Sequence, residues 1–545
     1  MRWLRQRCVL VRGRRVGTGR ARLLLPAVGS RACLHRRGRG RRGRARCRRA
    51  AATTVIMSAP TPAVIADRAA GAILASAAGD ALGAPHEFGP PLDAAVELRM
   101  SGGGSFGWKP GEWTDDTQMA LALLTPLARG DRDVAAVEAG FLAWYAAGAT
   151  DVGHQTRAVL RVGAPLAVAA RRHLEQHPDY AAGNGGLMRV GPAGLSFSGE
   201  PARIAEYAAA TTALTHADPD CIDASVLWAV AIDHTIRNAP LPSELWDFGA
   251  AVVAGLGHVP EERRTRWAQL IDQARSEPGA SFRNNGWVVA AFQAALAAIV
   301  HTPTPDDSAP SRHLVAAIEA AVRFGGDTDT VAAIAGALLG ARWGATALPL
   351  AWRSVLRGQR INGQPELRAS DLETLARRAV AGGAGDRQGW PGVDRLVPYY
   401  LDRFGAGPLP QQLFGVRFGG VGGLSAALQS GADVVVSLCR MGTKDVPADV
   451  EHQVVGLIDT DAADNPNLAF LLADTADFIA TRVAQGRSVY AHCVAADNRA
   501  PAVAAAYLAR HGAVDPRAAV EQVTAAFGHA PKPFLIEGVR QAAAL

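Results

Sequence analysis

The stretch Gly325-Gly-Asp-Thr-Asp-Thr-Val-Ala-Ala-Ile-Ala-Gly-Ala-Leu-Leu339 decides how the larger part of the chain is read. Two aspartates and two threonines stand where a helix would begin. Small apolar residues follow, without the period-two alternation of a strand. The same texture extends outward in both directions. Apolar residues recur at three and four positions in Ile73, Leu74, Ala77, Ala78, Ala81 and Leu82. A second acidic start, Trp113-Thr-Asp-Asp-Thr117, precedes the helical run Met119 to Leu127. Gly and Pro cluster at 101–111, 183–192 and 303–310, which read as loops. The pattern predicts an all-α domain over residues 57–380, with no internal repeat.

Beyond it the texture changes. Ala381-Gly-Gly-Ala-Gly-Asp-Arg-Gln-Gly389 and Gly405-Ala-Gly-Pro-Leu-Pro410 read as a linker over 381–410. Asp433-Val-Val-Val-Ser-Leu-Cys439 and Ser488-Val-Tyr-Ala-His492 are short β-rich runs. A helical stretch, Asn467 to Ala484, lies between them, and further helical stretches start at Pro501 and Asp515. Strands alternating with helices predict a smaller α/β domain over 411–545. The chain is therefore multidomain.

At 545 residues, 20% charged and 49% hydrophobic, it is too long for one ordinary core and too apolar for disorder. No apolar run reaches the roughly 18 residues of a bilayer span. The longest, Trp287 to Val300, contains Gln293 and reads as a buried helix. Residues 1–50 hold 18 Arg, no Lys and no acid, so the formal charge of +7 leaves −11 for the rest. The body is acidic, which argues against a nucleic-acid surface there. The Arg-rich segment 1–56 fits a transit peptide, a basic arm or translated upstream sequence. Its low Ser content and the start-like Met57-Ser58 favour the last, and it is set aside from the fold. Outside it only Cys221, Cys439 and Cys493 remain, widely spaced. That is no disulfide framework and fits a reducing cytoplasm.

Each acidic cluster sits at a helix start, where Asp and Thr cap naturally. Capping accounts for one carboxylate per helix but not for two. Four carboxylates converging in a helical core would repel unless neutralised, and two Mg²⁺ ions with oxygen ligands would do so. No His/Cys cluster accompanies them, which disfavours zinc. The spacing leaves both readings open.

Gly79-Asp80-Ala-Leu-Gly83 with Glu87, Trp113-Thr-Asp-Asp-Thr117, Asp151-Val-Gly-His-Gln-Thr156, Gly183-Asn-Gly-Gly-Leu-Met-Arg189, Thr215-His216 and Gly326-Asp-Thr-Asp-Thr330 resemble, in order, the motifs of the ADP-ribosylglycohydrolase family. The resemblance implies an all-α fold with a dinuclear magnesium centre. It implies Thr114, Asp115, Asp116, Asp327, Asp329 and Thr330 as metal ligands. Glu87 and Asp151 become candidates for the catalytic acid or base, and Asn184, Gly185 and His216 for substrate contact. The plain alternative for Asp151 is a cap of the helix that follows, and His216 could equally be a packed interhelical side chain. The activity implied is removal of ADP-ribose from a modified protein or other ADP-ribosylated substrate.

In the C-terminal part, Tyr490-Ala-His492-Cys493-Val-Ala-Ala-Asp-Asn-Arg499 follows a strand and opens a helix. A Cys, five residues and an Arg at such a turn can cradle phosphate. Arg499 would clamp two phosphate oxygens. The region resembles the dual-specificity phosphatases, with Leu413-Phe-Gly-Val and Asp433-Val-Val-Val-Ser-Leu as opening strands. That resemblance implies Cys493 as nucleophile and Asp461, with Asp464 as alternate, as general acid. Ala496 stands where such loops carry Gly, Ala500 where they carry a hydroxyl, and Asp497 adds a negative charge. A phosphorylated substrate, a phosphate-binding module and a decayed domain all stay open. So do two whole-chain alternatives: a phosphatase with a regulatory helical domain, and a non-catalytic ADP-ribose- or phosphate-binding protein.

Overall fold

Helix Pro62–Gly83 runs against helix Thr328–Trp343 along its full length, and the sequence explains the closeness. Gly71, Gly79 and Gly83 face the backbone of Gly340, Ala332 and Asp329, while Gly336 faces Ala75. A Cβ at any of these glycines would come within 2.5 Å of opposing backbone, so only glycine permits the contact. The contacts step by four residues along the first helix and by three or four along the second, antiparallel. The end of the first helix is thereby delivered to the acidic start of the second. Around this pair the helical half buries one continuous apolar core, including helix Val288–His301, where a buried helix was expected.

The structure, a computed structural model, describes residues 59–242 and 244–545. The Arg-rich segment 1–56 lies outside them. Among the described residues no helix is long and apolar enough to cross a membrane.

The C-terminal half is built on a five-stranded sheet in the order 411–413, 416–420, 489–493, 434–437, 451–454. The first pair is antiparallel and the others parallel. Leu413-Phe-Gly-Val, expected to be a strand, straddles the hairpin turn instead. Phe414 and Gly415 both have positive φ, as a two-residue hairpin requires. Helices Leu468–Ala484 and Arg499–His511 pack on one sheet face, in a core that Leu350 of the helical half joins. Residues 381–410 do more than tether. Helix Val397–Phe404 lies within them, and Leu396 and Tyr400 are buried against Val421, Val435 and Tyr490 on the other face. Asp445 holds this segment by accepting from the N–H groups of Leu396 and Val397. Direct hydrogen bonds join the two halves: Thr61 Oγ1 to Asp464 at 2.8 Å, Asn467 Nδ2 to Thr346 Oγ1 at 2.8 Å, and the Leu350 N–H to Asp474 at 2.8 Å.

Candidate active site

Helices Asp115–Leu127 and Thr328–Trp343 begin beside one another, and neither uses its own acid as a cap. Thr114 and Asp327 occupy the capping positions without a side-chain capping bond. Asp80, from the end of the first helix, takes that role for Asp115–Leu127. It accepts from the N–H groups of Thr114 (2.9 Å) and Thr117 (3.0 Å) and from Thr117 Oγ1 (2.6 Å). A borrowed cap leaves Asp115 and Asp116 free for another purpose, which two plain N-caps would not.

The acids meet at one end of a cavity of about 950 Å³. Oxygens of Glu87, Asp327 and Asp329 lie within 4.8 Å of one another. Asp116 Oδ2 sits 3.3 Å from Thr330 Oγ1 and 3.5 Å from Thr114 Oγ1. Asp116 Oδ1 and Glu87 Oε2 are buried without a hydrogen-bond partner. Burial, then mutual repulsion, pushes Asp115, Asp116 and Asp329 well above the usual carboxylate range. The same causes push Glu87 up to about 9. Asp151 rises to about 6 through burial and Asp327. Orphaned buried carboxylate oxygens in an all-oxygen set suit a hard dication.

The other predicted residues line the same cavity. Asn184 Nδ2 donates to Asp327 at 2.7 Å and to the Asn285 carbonyl at 2.9 Å. Asp151 faces the cavity and is not the cap of the next helix, a position held by Gly153. His216 lies behind the Asn184 loop and bonds Thr215 Oγ1 at 2.8 Å. Burial, aided by Arg189, holds it well below the usual histidine range, so it is neutral. Its two readings merge: it is packed, and it borders the cavity.

Arg189 and Asn285 carry more of this geometry than the sequence suggested. Arg189 is fully buried over the Phe141 ring, donates to the Gly185 carbonyl (2.8 Å) and to Thr215 (2.6 Å), and so fixes the loop. Asn285, in no motif, accepts from the Asp327 N–H at 3.0 Å and donates to the Gly325 carbonyl at 2.9 Å. Its signal was absent because it acts on backbone across 42 residues.

Cys493 ends the central strand and opens the loop to helix Arg499–His511. Among the described residues, no backbone N–H from Val494 to Asn498 donates to another protein group. Arg499 donates to the Leu438 carbonyl at 2.8 Å, and its buried Nε has no hydrogen-bond partner. Asp497 is exposed and turned toward His529, 3.9 Å away, so its charge sits at the rim. Asp461 caps a short 3₁₀ turn by accepting from Ala463 and does not line this cavity. Asp459 and Asp464 do line it, with Asp459 Oδ2 3.6 Å from Arg499 Nε. Cys439 borders the same cavity, and burial pushes its thiol up to about 12. Behind the loop, Ser437 bonds His452 at 2.9 Å and His492 at 2.8 Å. Burial pushes these imidazoles down to about 3 and about 4.

The family model for ADP-ribosylglycohydrolase matches residues 61–389. Among similar proteins, the ADP-ribosyl-[dinitrogen reductase] glycohydrolase of Rhodospirillum rubrum is 31% identical over 304 residues, covering 53% of this chain and 90% of its own. The ADP-ribosylarginine hydrolase Tri1 of Pseudomonas putida is 29% identical, covering 54% and 75%. A solved structure of human DUSP28 is 21% identical, covering 25% of this chain and 93% of its own with a TM-score of 0.23. The chain belongs to the ADP-ribosylglycohydrolase family and is a hydrolase.

Proposed function

We propose that the helical half, residues 57–380, is a magnesium-dependent hydrolase that removes ADP-ribose from a modified protein or another ADP-ribosylated substrate. The carrying observation is the borrowed cap. Asp80 frees Asp115 and Asp116 to converge with Asp327, Asp329 and Glu87 around orphaned oxygens. Thr114, Asp115, Asp116, Asp327, Asp329 and Thr330 would hold two Mg²⁺ ions, and Glu87 stands close enough to join them. When bound, such ions supply positive charge for ribose hydroxyls and make a nearby water easier to deprotonate.

The chain's own groups do the rest. Asn184 and Gly185 orient the ribose, with Arg189 and neutral His216 holding their loop in place. Cleavage at the anomeric carbon develops oxocarbenium character, and water adds as the bond to the leaving group breaks. Asp151, raised by burial and Asp327 to about 6, faces the cavity, so it is our proton carrier, with Glu87 as its neighbour. The name of the Pseudomonas putida relative makes an ADP-ribosylated arginine peptide the first substrate to try. Release of ADP-ribose should require Mg²⁺, and Asp327→Ala should lower it at least about a hundredfold. Calorimetry should then find no Mg²⁺ uptake by the variant. Release that persists in chelator, or uptake unchanged in Asp327→Ala, would overturn the assignment.

A second reading covers residues 411–545: the Cys493–Arg499 loop holds phosphate, and turnover there would use Cys493 as nucleophile. Its support is the run of unpartnered N–H groups beside a buried Arg499 Nε. Asp459 and Asp464 are better placed than Asp461 to serve as the acid. Among the described residues Cys221, Cys439 and Cys493 are free thiols, which fits a reducing cytoplasm.

A further inference from the structure

The cavity above the Cys493 loop measures about 750 Å³, within the range of small-molecule sites. What distinguishes it is who builds its walls. The loop and the strand ends form the floor. The helical half contributes Thr61, Asp67, Glu373 and Arg377, and the joining segment contributes Trp390 and Tyr400.

These walls are fastened. Glu373 pairs with Arg377 at 2.7 Å and with Arg353 at 2.6 Å. The guanidinium of Arg440 lies 4.3 Å from the Trp390 ring centre and that of Arg377 5.4 Å. Arg440 in turn pairs with Asp386 at 3.0 Å. The Thr61–Asp464 hydrogen bond ties the two halves together at the cavity. Cys493 is 1% exposed. A phosphorylated side chain projecting from a folded partner would have to reach past the walls that the helical half and the joining segment contribute.

We propose that this cavity is a composite site for a small-molecule phosphate monoester. The phosphate sits on the Cys493–Arg499 loop and the rest of the molecule lies against Trp390 and its flanking arginines. The proposal rests on the second reading above, that the loop holds phosphate. Three points of chemistry carry it. A monoester dianion presents three oxygens to a ring of free N–H groups and one guanidinium, which a phosphate bridged at both ends cannot match. ADP-ribose has only bridged phosphates, so this ligand differs from the one bound at the aspartate cluster. The Trp390 wall, with Arg377 and Arg440 against it, offers a flat face and positive charge to the ester's organic part.

The test uses the full chain and calorimetry with inorganic phosphate, adenosine monophosphate, ribose 5-phosphate and a phosphotyrosine peptide. At least one small ester should bind about tenfold more tightly than inorganic phosphate, and the peptide no more tightly than phosphate. The two ester arms separate a nucleotide from a sugar phosphate as the source. Trp390→Ala should bring the preferred ester to within about threefold of inorganic phosphate, whose own affinity stays unchanged. Trp390 also packs against the sheet, so Arg440→Gln, a surface change, serves as the second variant and should narrow the same gap by about threefold. A peptide that binds as tightly as the small ester overturns the proposal. Small esters no tighter than inorganic phosphate overturn the composite wall while the phosphate loop stands. No binding of inorganic phosphate overturns both, and leaves ADP-ribose release at the other site as a separate question.

Discussion

The two cavities use one device with opposite signs. Each lies where helices begin, and a helix start carries partial positive charge with unpaired N–H groups. In the helical half the chain supplies its own anions to those starts. Asp115, Asp116 and Asp329 stand in the first turns, and the excess negative charge calls for a cation. In the C-terminal half, the first turn of helix Arg499–His511 holds no acid. Among the described residues its loop N–H groups and the Arg499 Nε have no hydrogen-bond partner, so an anion is called for. The sign of the guest follows from what occupies the first turn.

The strongest way to break this comparison is Asp116→Asn. It removes a charge from an oxygen with no partner and leaves the shape intact. Hydrolysis of an ADP-ribosylated peptide should fall at least about a hundredfold. In chelator, by contrast, the variant should melt higher than the wild type. A carboxyl raised well above its ordinary range costs stability at neutral pH, and an amide does not titrate. A variant that melts lower in chelator would mean the acids are not in conflict, and the contrast between the sites would fail.

A change of pH sharpens the contrast, because the two regions should respond in opposite directions. His452 and His492 titrate at about 3 and about 4 in the fold, below the ordinary 6.5. Between those values the unfolded chain binds more protons, so stability is lost as pH falls from 6.5 toward 4. The loss is roughly 1.4 kcal/mol per unit for each histidine. Glu87, raised to about 9, has the reverse sign. In the metal-free chain, stability lost above its ordinary range returns as pH falls from 9. Hydrogen exchange from pH 8 to 5, corrected for intrinsic rates, should show protection falling in peptides over 489–493. Peptides over 115–127 in chelator should gain it. Movement in the same direction would sink the electrostatic account.

Much of this was legible because the relevant signals are local. The acidic starts at Asp115 and Asp327 and the Cys493 loop each lie within a few residues of the element they open. The helical texture of the larger half and the strands at 434–437 and 489–493 were readable for the same reason. What escaped reading depends on distant partners. The pairing of Gly71 with Gly340 and of Asp80 with Thr114 is invisible until two helices meet. Glu451–Val454 was missed because an edge strand tolerates the polar run Glu-His-Gln. Asp461 looked like the acid by its distance from Cys493 along the chain. A 3₁₀ turn directs it to Ala463 instead and leaves Asp459 at the cavity.

Ala496 offers the smallest effect and the finest test of the phosphate loop. It stands at φ 62°, the left-handed region, and is fully buried. Holding an L-residue there costs about 1–2 kcal/mol, which glycine would avoid. Against that, glycine loses about 0.5–1 kcal/mol of chain entropy on folding. Removing a buried methyl forfeits roughly another 0.8 kcal/mol of burial. The terms nearly cancel, so Ala496→Gly should shift stability by less than about 1 kcal/mol, with a slight gain if strain dominates. Affinity for inorganic phosphate should stay within about threefold, because the loop N–H groups keep their places. Denaturant unfolding paired with phosphate calorimetry reads both quantities. A large loss of stability would show that the methyl's packing, not the loop's conformation, keeps alanine there. Unchanged stability with phosphate binding abolished would show that the methyl itself holds the N–H groups in line, and that the loop's anion site depends on a side chain where a glycine was expected.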